Sequence, residues 1–330
     1  MVTITELPDT LLLEVFSYLP VRDRIRIARV CHRWKRIADD RWLWRHVDLT
    51  IYKMCPKVLW HLLRRYLASR LQSLRMGGYL FSGSNAPQLS PTLLRALGLK
   101  CPNLTRLCLQ VADLRALPLA CLPPSLRTLE LHSCEISSAW LYPGPGASRT
   151  ATPLPHLERL VLHRVPTFCD EHLLGLGRFP ALRTLVMGGT YHVTETGLSN
   201  GLRRLSQLQH LEVLDCTLAA DVVLRAVRHC RPNLQGLSLS ARHLSVTGLE
   251  HLPSLVGLQS LSLMGPPVMH NLPSPLELLA ACQALPMLRS LEIRGLGWEG
   301  QEAEGILSQG LPQCWVSVRA YTRESRDWWM

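Results

Sequence analysis

Phenylalanine is scarce in this chain, at four of 330 residues, and charge is thin at 18%, against roughly a quarter in an average globular protein. So little charge beside 47% hydrophobic residues excludes a disordered chain, which needs the opposite balance. No run of about 18 uncharged apolar residues occurs, so no membrane helix is expected. The opening MVTITELPDT has no basic stretch before an apolar one, so no secretory leader is expected. Eleven cysteines lie singly between Cys31 and Cys314 with no C-x-x-C pair. That spacing excludes a RING-type zinc module and suits reduced thiols packed as small hydrophobes. Asp327 occupies the position where a prenylation box needs cysteine. Neither G-x-x-x-x-G-K-[ST] nor H-E-x-x-H occurs, so no phosphate loop, zinc-protease site or cofactor is expected. These absences together predict a soluble protein of the cytoplasm or nucleus.

What the chain has in excess is leucine, 67 residues, and the leucines fall in register. Leu126-Leu129-Leu131-Cys134-Ile136 and Leu208-Leu211-Val213-Cys216-Leu218 fit L-x-x-L-x-L-x-x-[N/C]-x-L. Further copies start at Leu71, Leu104, Leu157, Leu182, Leu234, Leu258 and Leu288, after a degenerate one at Trp44, Val47 and Leu49. Positions +3 and +5 alternate, so both point to one side of a short strand, into a core. The +8 thiol or amide is placed to meet backbone groups where the chain turns away. Helical stretches follow, as at Leu89–Cys101 with Ser90 as N-cap and Pro91 at N1; another is expected to begin at Asp170, and a third has Asp221 as its expected cap. One strand and one helix per copy predicts a right-handed α/β stack of about nine to ten repeats. Tryptophan gathers at the two ends of the chain, where a stack must be capped.

The N-terminal residues 4–49 have another character. Leu11, Leu12, Val15, Phe16 and Leu19 form a wide apolar stripe at helical spacing, Pro20 ends it, and two further helical segments follow. Three short helices enclose little, so an excess apolar face suggests a docking surface. Residues 1–75 carry 15 Lys/Arg against 7 Asp/Glu, a net of +8 within a total of +11. Solvated helix faces at Arg22, Arg24, Arg26, Arg29, Arg33, Lys35 and Arg36 explain this excess, or attraction to an acidic protein does; nucleic acid is the least favoured reading.

The repeat, with CPNL at 101–104 and RPNL at 231–234, resembles the cysteine-containing class of leucine-rich repeats over about 44–320. Leu7-Pro8, Phe16-Ser17-Tyr18-Leu19, Val30-Cys31-His32-Arg33-Trp34 and Leu43-Trp44 stand in the order of an F-box. That succession resembles the F-box/leucine-rich-repeat family. It implies an α/β protein with a three-helix F-box at 1–49, a horseshoe solenoid at 50–320 and a tail at 321–330. It further implies a non-enzymatic substrate receptor of a Skp–cullin–F-box ubiquitin ligase. Such a receptor binds the Skp adaptor directly, reaches the cullin and RING subunit through it, and delivers protein substrates for degradation. Carried over by motif position, the adaptor contacts are Leu7, Pro8, Leu11, Leu12, Phe16, Leu19, Val30 and Trp34, about half of them expected to be the module's own core. Thr10 departs from the family's common Glu. The alternative is a non-catalytic scaffold or inhibitor that acts without ubiquitination.

Repeat positions +2, +4 and +6 should face outward on the concave side as a substrate column. They comprise Arg75, Arg106, Gln110, Glu130, His132, Arg159, His163, His210, Glu212, Glu292 and Arg294. Mixed signs suit a protein partner better than a polyanion. His132 and His163 share the +6 position; with no third ligand in view they read as hydrogen-bonding surface residues, and no metal is expected. The Pro/Gly/Ser-rich insertion 137–155 is expected to be a loop exposing Trp140 and Tyr142. Trp328 and Trp329 are expected either to cap the stack or to fold over the column. PKVLWHLLRRYLASR (56–70) should pack as the first coil and join the two parts rigidly.

Overall fold

A computed structural model describes residues 4–52, 56–77, 89–141, 154–230, 233–265, 272–298 and 301–320. Three helices open it: α1 (Asp9–Ser17), α2 (Val21–Ile27) and α3 (His32–Ala38). Leu12 and Phe16 are buried one helical turn apart, and the edge of Trp34 meets the Phe16 ring at 5.1 Å. Pro8 and Pro20 stand at the N-caps of α1 and α2, so each helix starts after a residue that cannot extend the preceding one. Arg24 was expected on a solvated face and is instead half-buried. Its guanidinium donates to the carbonyls of Ser17 (2.7 Å), Leu19 (2.8 Å) and Leu43, closing the end of α1. Arg33 and Arg36 likewise hold Asp9 at 2.8 and 2.6 Å.

Eleven parallel strands follow in chain order. The first compact unit contains the helices and β1 (His46–Asp48), β2 (Ser73–Gly77), β3 (Arg106–Gln110) and β4 (Thr128–His132), with α4 (Pro56–Leu62) and α5 (Pro91–Lys100) between strands. The second contains β5 (Arg159–His163), β6 (Thr184–Gly188), β7 (His210–Leu214), β8 (Gly236–Ser240), β9 (Ser260–Gly265), β10 (Ser290–Gly295) and β11 (Trp315–Arg319). Its helices are α6 (Asp170–Gly175), α7 (Glu195–Leu202), α8 (Ala220–Val227), α9 (Val246–Leu249), α10 (Pro275–Gln283) and α11 (Gln301–Gly310). The degenerate first copy forms β1. The eleventh strand falls outside the leucine register, because Gln313 stands at the leading position, although Val316 and Val318 keep the +3 and +5 apolar alternation.

Within each copy the +3 and +5 residues, such as Leu129 with Leu131, are buried; each such side chain contributes about 2 kcal/mol of apolar burial. The +8 thiols do meet carbonyls: Cys134 Sγ lies 3.4 Å from the oxygens of Leu109 and His132. Asn103 and Asn233 of the two P-N-L stretches donate to Ser69 and Ser206 carbonyls of the preceding coil at 2.8 and 2.7 Å.

In the first unit the helical module and the first coils share a core. Trp44 is fully buried, donates its indole N–H to Ala38 at 2.7 Å and stacks on Tyr66 at 4.4 Å, while Arg70 donates to the Asp39 carbonyl at 2.8 Å. Residues 56–70 are helical as expected, passing from α4 into a π turn at Leu63–Leu67 and a 3-10 turn.

Three expectations need correction. Trp140 is buried, not exposed, because the start of the insertion packs as a turn of its own coil; Tyr142 lies outside the described residues. Trp315 is 56% exposed and so does not serve as a packed cap. Asp170 begins α6 as expected, whereas Asp221 does not cap its own helix, whose N-cap is Ala219. Their carboxylates reach forward to the cap residue of the next coil, Asp170 to Thr194 and Asp221 to Ser245.

Candidate functional site

Two surfaces carry the residues singled out from the sequence. On the helical module, α1 sorts its apolar residues by angle. Leu12 and Phe16 face inward, while Leu11, Val15 and the capping Tyr18 lie at i, i+4 and i+7 on one exposed side. Tyr18 is 80% exposed and Val30, just before α3, is 61% exposed. Pro8 is exposed; Leu7, Leu19 and Trp34 are half-buried. Leu12 and Phe16 are therefore corrected from adaptor contacts to core, since a side chain without accessible surface has none to offer a partner. Val15 and Tyr18 share this exposed side with Leu11 but were not among the expected contacts, although the i+4 and i+7 spacing from Leu11 marks them.

The second surface is the outward face of the sheet. In the first unit, Arg75 pairs with Asp48 at 3.3 Å and Arg106 with Glu130 at 2.7 Å; His132 Nε2 stands 3.9 Å from the other Glu130 oxygen. Glu130, His132 and, in the second unit, His163 are buried rather than exposed. A parallel strand about 4.8 Å away walls such side chains in, β3 beside β4 and, in the second unit, β6 beside β5. Burial alone pushes the Glu130 carboxyl up, but the attraction of His132 and Arg106 outweighs it and holds the group below its ordinary 4.5. Cys108 was missed. It sits between Arg75 and Glu130 in register, fully buried, and burial followed by the Glu130 charge pushes its thiol up to about 11. Its +4 position in the copy starting at Leu104 is the signal that could have found it.

In the second unit the expected column is interrupted. Arg159 and His210 are exposed and Glu212 is half-buried; burial, then the charge of Arg159, lowers the pKa of His210. Glu292 and Arg294 pair on β10 at 2.8 Å. Between β7 and β10 the outward positions of β8 and β9 carry Gly236, Ser238, Ser240, Ser260 and Ser262, small side chains that end at Met264 opposite Ser240. A Cβ at Gly236 would stand 2.4 Å from His210 Nδ1, so this glycine makes room for the imidazole. Gln110 is half-buried on β3, while Trp328 and Trp329 lie outside the described residues.

Gly197–Gly201 reads G-x-S-x-G, but it lies inside α7. Ser199 is therefore not on the strand-to-helix elbow that makes such a serine a nucleophile. Among the described residues no helix is long and apolar enough to cross a membrane.

A small helical module with an exposed apolar face, continuous with a parallel stack of one-strand coils, defines an F-box joined to leucine-rich repeats. The F-box-like family pattern matches residues 4–50. F-box/LRR-repeat protein 12 of Homo sapiens is 66% identical over 331 residues, covering all of both chains. Its Bos taurus counterpart is 64% identical over the same span. Among solved structures, a chain of the TLR13–ssRNA13 complex is similar at a TM-score of 0.45 and 15% identity, covering 77% of this chain and 36% of that one. The chain belongs to the F-box/LRR-repeat protein family.

Proposed function

We propose that this chain is the substrate receptor of a Skp–cullin–F-box ubiquitin ligase. In this reading the exposed side of α1, with Pro8 and Val30, docks on a Skp-type adaptor. The cullin and RING subunit are reached through that adaptor, and the outward face of the sheet takes a target protein for ubiquitination and degradation in the cytoplasm or nucleus. The chain contributes no bond-making step; it binds, and the transfer chemistry belongs to its partners.

The observation that carries the reading is the division of α1. With Leu12, Phe16 and Trp44 already closing the module's core, Leu11, Val15 and Tyr18 remain as exposed apolar surface. The shared core of module and first coils supports a rigid connection. Rigidity raises the effective concentration of a bound substrate's lysine near the conjugating enzyme.

Co-purification tests it. A Skp adaptor should accompany the wild-type full chain, and Leu11→Asp/Val15→Asp should weaken that binding by about thirtyfold or more, the scale of a lost interface hot spot. Unchanged adaptor binding in the double variant, or no adaptor with the wild type, overturns the proposal.

A further inference from the structure

Strands β3 and β4 pair with Cys108 opposite Glu130 and Gln110 opposite His132. Alternation sends Leu107, Leu109, Leu129 and Leu131 into the core and these four side chains to the other face. Cys108, Glu130 and His132 are all buried, and one ligating atom from each lies within 4.8 Å of the other two. Ligands on one tetrahedral ion, at bonds of about 2.0–2.3 Å, stand about 3.3–3.8 Å apart. The His132 Nε2 to Glu130 Oε2 separation of 3.9 Å is already near that value.

The donor set selects the ion. Calcium and magnesium want an all-oxygen shell, whereas one thiolate, one imidazole and one carboxylate suit a borderline-soft, four-coordinate cation. Arg106 holds the second Glu130 oxygen at 2.7 Å, fixing the carboxylate as outer partners of metal ligands do.

We propose that Cys108, Glu130 and His132 form a zinc-class divalent-cation site on the outward face of β3 and β4. Its fourth position is open to water or to a ligand atom of a bound protein. Residues of two neighbouring coils are cross-linked by the ion, and the thiol gives up its proton to solvent on binding. This goes beyond the receptor reading and does not depend on adaptor docking.

The test uses the full chain freed of metal, with cobalt(II) as an optical probe and zinc as competitor. One equivalent of cobalt should give a sulfur-to-metal charge-transfer band that zinc displaces, and zinc should raise the melting temperature. Cys108→Ser should abolish the band, and both Cys108→Ser and His132→Gln should weaken zinc binding by at least about tenfold, since losing even an outer partner of a metal ligand costs about that much. Cys31→Ser, at an exposed thiol, should leave the band unchanged. X-ray absorption on the zinc-loaded wild type should report one sulfur and otherwise nitrogen or oxygen neighbours, a result that needs no variant to fold. A wild type without a saturable one-equivalent band, a band that survives Cys108→Ser, or a shell with no sulfur or several overturns the proposal and leaves an ordinary buried ion-pair cluster.

Discussion

Val111 leaves β3 with φ at +51°, a left-handed backbone that a β-branched side chain tolerates poorly. Ser133, Arg164 and Asp215 do the same after β4, β5 and β7, and Gly189 after β6. The turn that takes the chain off these five strands therefore recurs without a recurring residue, which is why the sequence shows no sign of it. Val111→Gly should raise stability by about 1 kcal/mol, read as a higher melting temperature, since the Val111 amide bond to the His132 carbonyl at 2.8 Å is kept. At His172 the environment sets the charge. The ring is buried, its Nε2 lies 2.8 Å from the Ser137 carbonyl and its Nδ1 accepts from the Cys169 amide at 3.2 Å. Burial lowers its pKa from 6.5, against the opposing Ser137 bond and Glu171. The unfolded chain therefore takes up a proton first, and stability falls as pH drops below 6.5 towards the lower folded value. Melting curves at about pH 7.5 and pH 5.5, spanning the ordinary imidazole range, should differ more for the wild type than for His172→Gln. An equal difference would remove His172 as the cause.

Between elements, the second unit is laced by a repeated acid-to-cap link. Asp221 on α8 accepts from the Ser245 amide at 2.9 Å and from its hydroxyl, and Ser245 in turn caps α9 through the Gly248 amide at 3.2 Å. Asp170, Thr194 and Gly197 repeat the arrangement between α6 and α7. Glycine is required at the third member: a Cβ at Gly248 would stand 1.8 Å from Asp221 Oδ1. Asp221→Ala should cost about 1–3 kcal/mol, as for a lost cap with an orphaned donor. Gly248→Ala should cost a similar amount by expelling the carboxylate. Together they should cost clearly less than their sum in a denaturation cycle; full additivity would mean that the two side chains do not compete for one space. The sequence marks Asp170 and Asp221 near helix starts but shows no sign of their partners, because a cap in the next coil is 24 residues away.

For the whole molecule, the separation of the buried from the exposed apolar side of α1 makes two phenotypes distinguishable. Leu12→Asp/Phe16→Asp should unfold the helical module, since burying an unpaired charge costs several kcal/mol; proteolysis within residues 4–50 should then accelerate. Leu11→Asp/Val15→Asp should leave the melting temperature nearly unchanged and remove adaptor binding alone. Equal proteolytic resistance of the two double variants would contradict the division of α1. The basic excess of the N-terminal region divides in the same way. Arg24, Arg33 and Arg36 are committed to internal carbonyls and to Asp9, so formal charge overstates what the module can offer an acidic partner.

The sequence by itself determined the parallel stack, the helical module and the family, because leucine spacing and F-box residues are local signals that survive without coordinates. Burial cannot be read in that way. It depends on which strand lies alongside, and only the tertiary structure decided that Leu12 and Phe16 are core while Leu11 and Val15 are surface. For the same reason it buried Glu130, His132 and His163 and brought Cys108 beside two of them. A thiol at +4 reads as one more small hydrophobe until register places it opposite a carboxylate two residues from an imidazole.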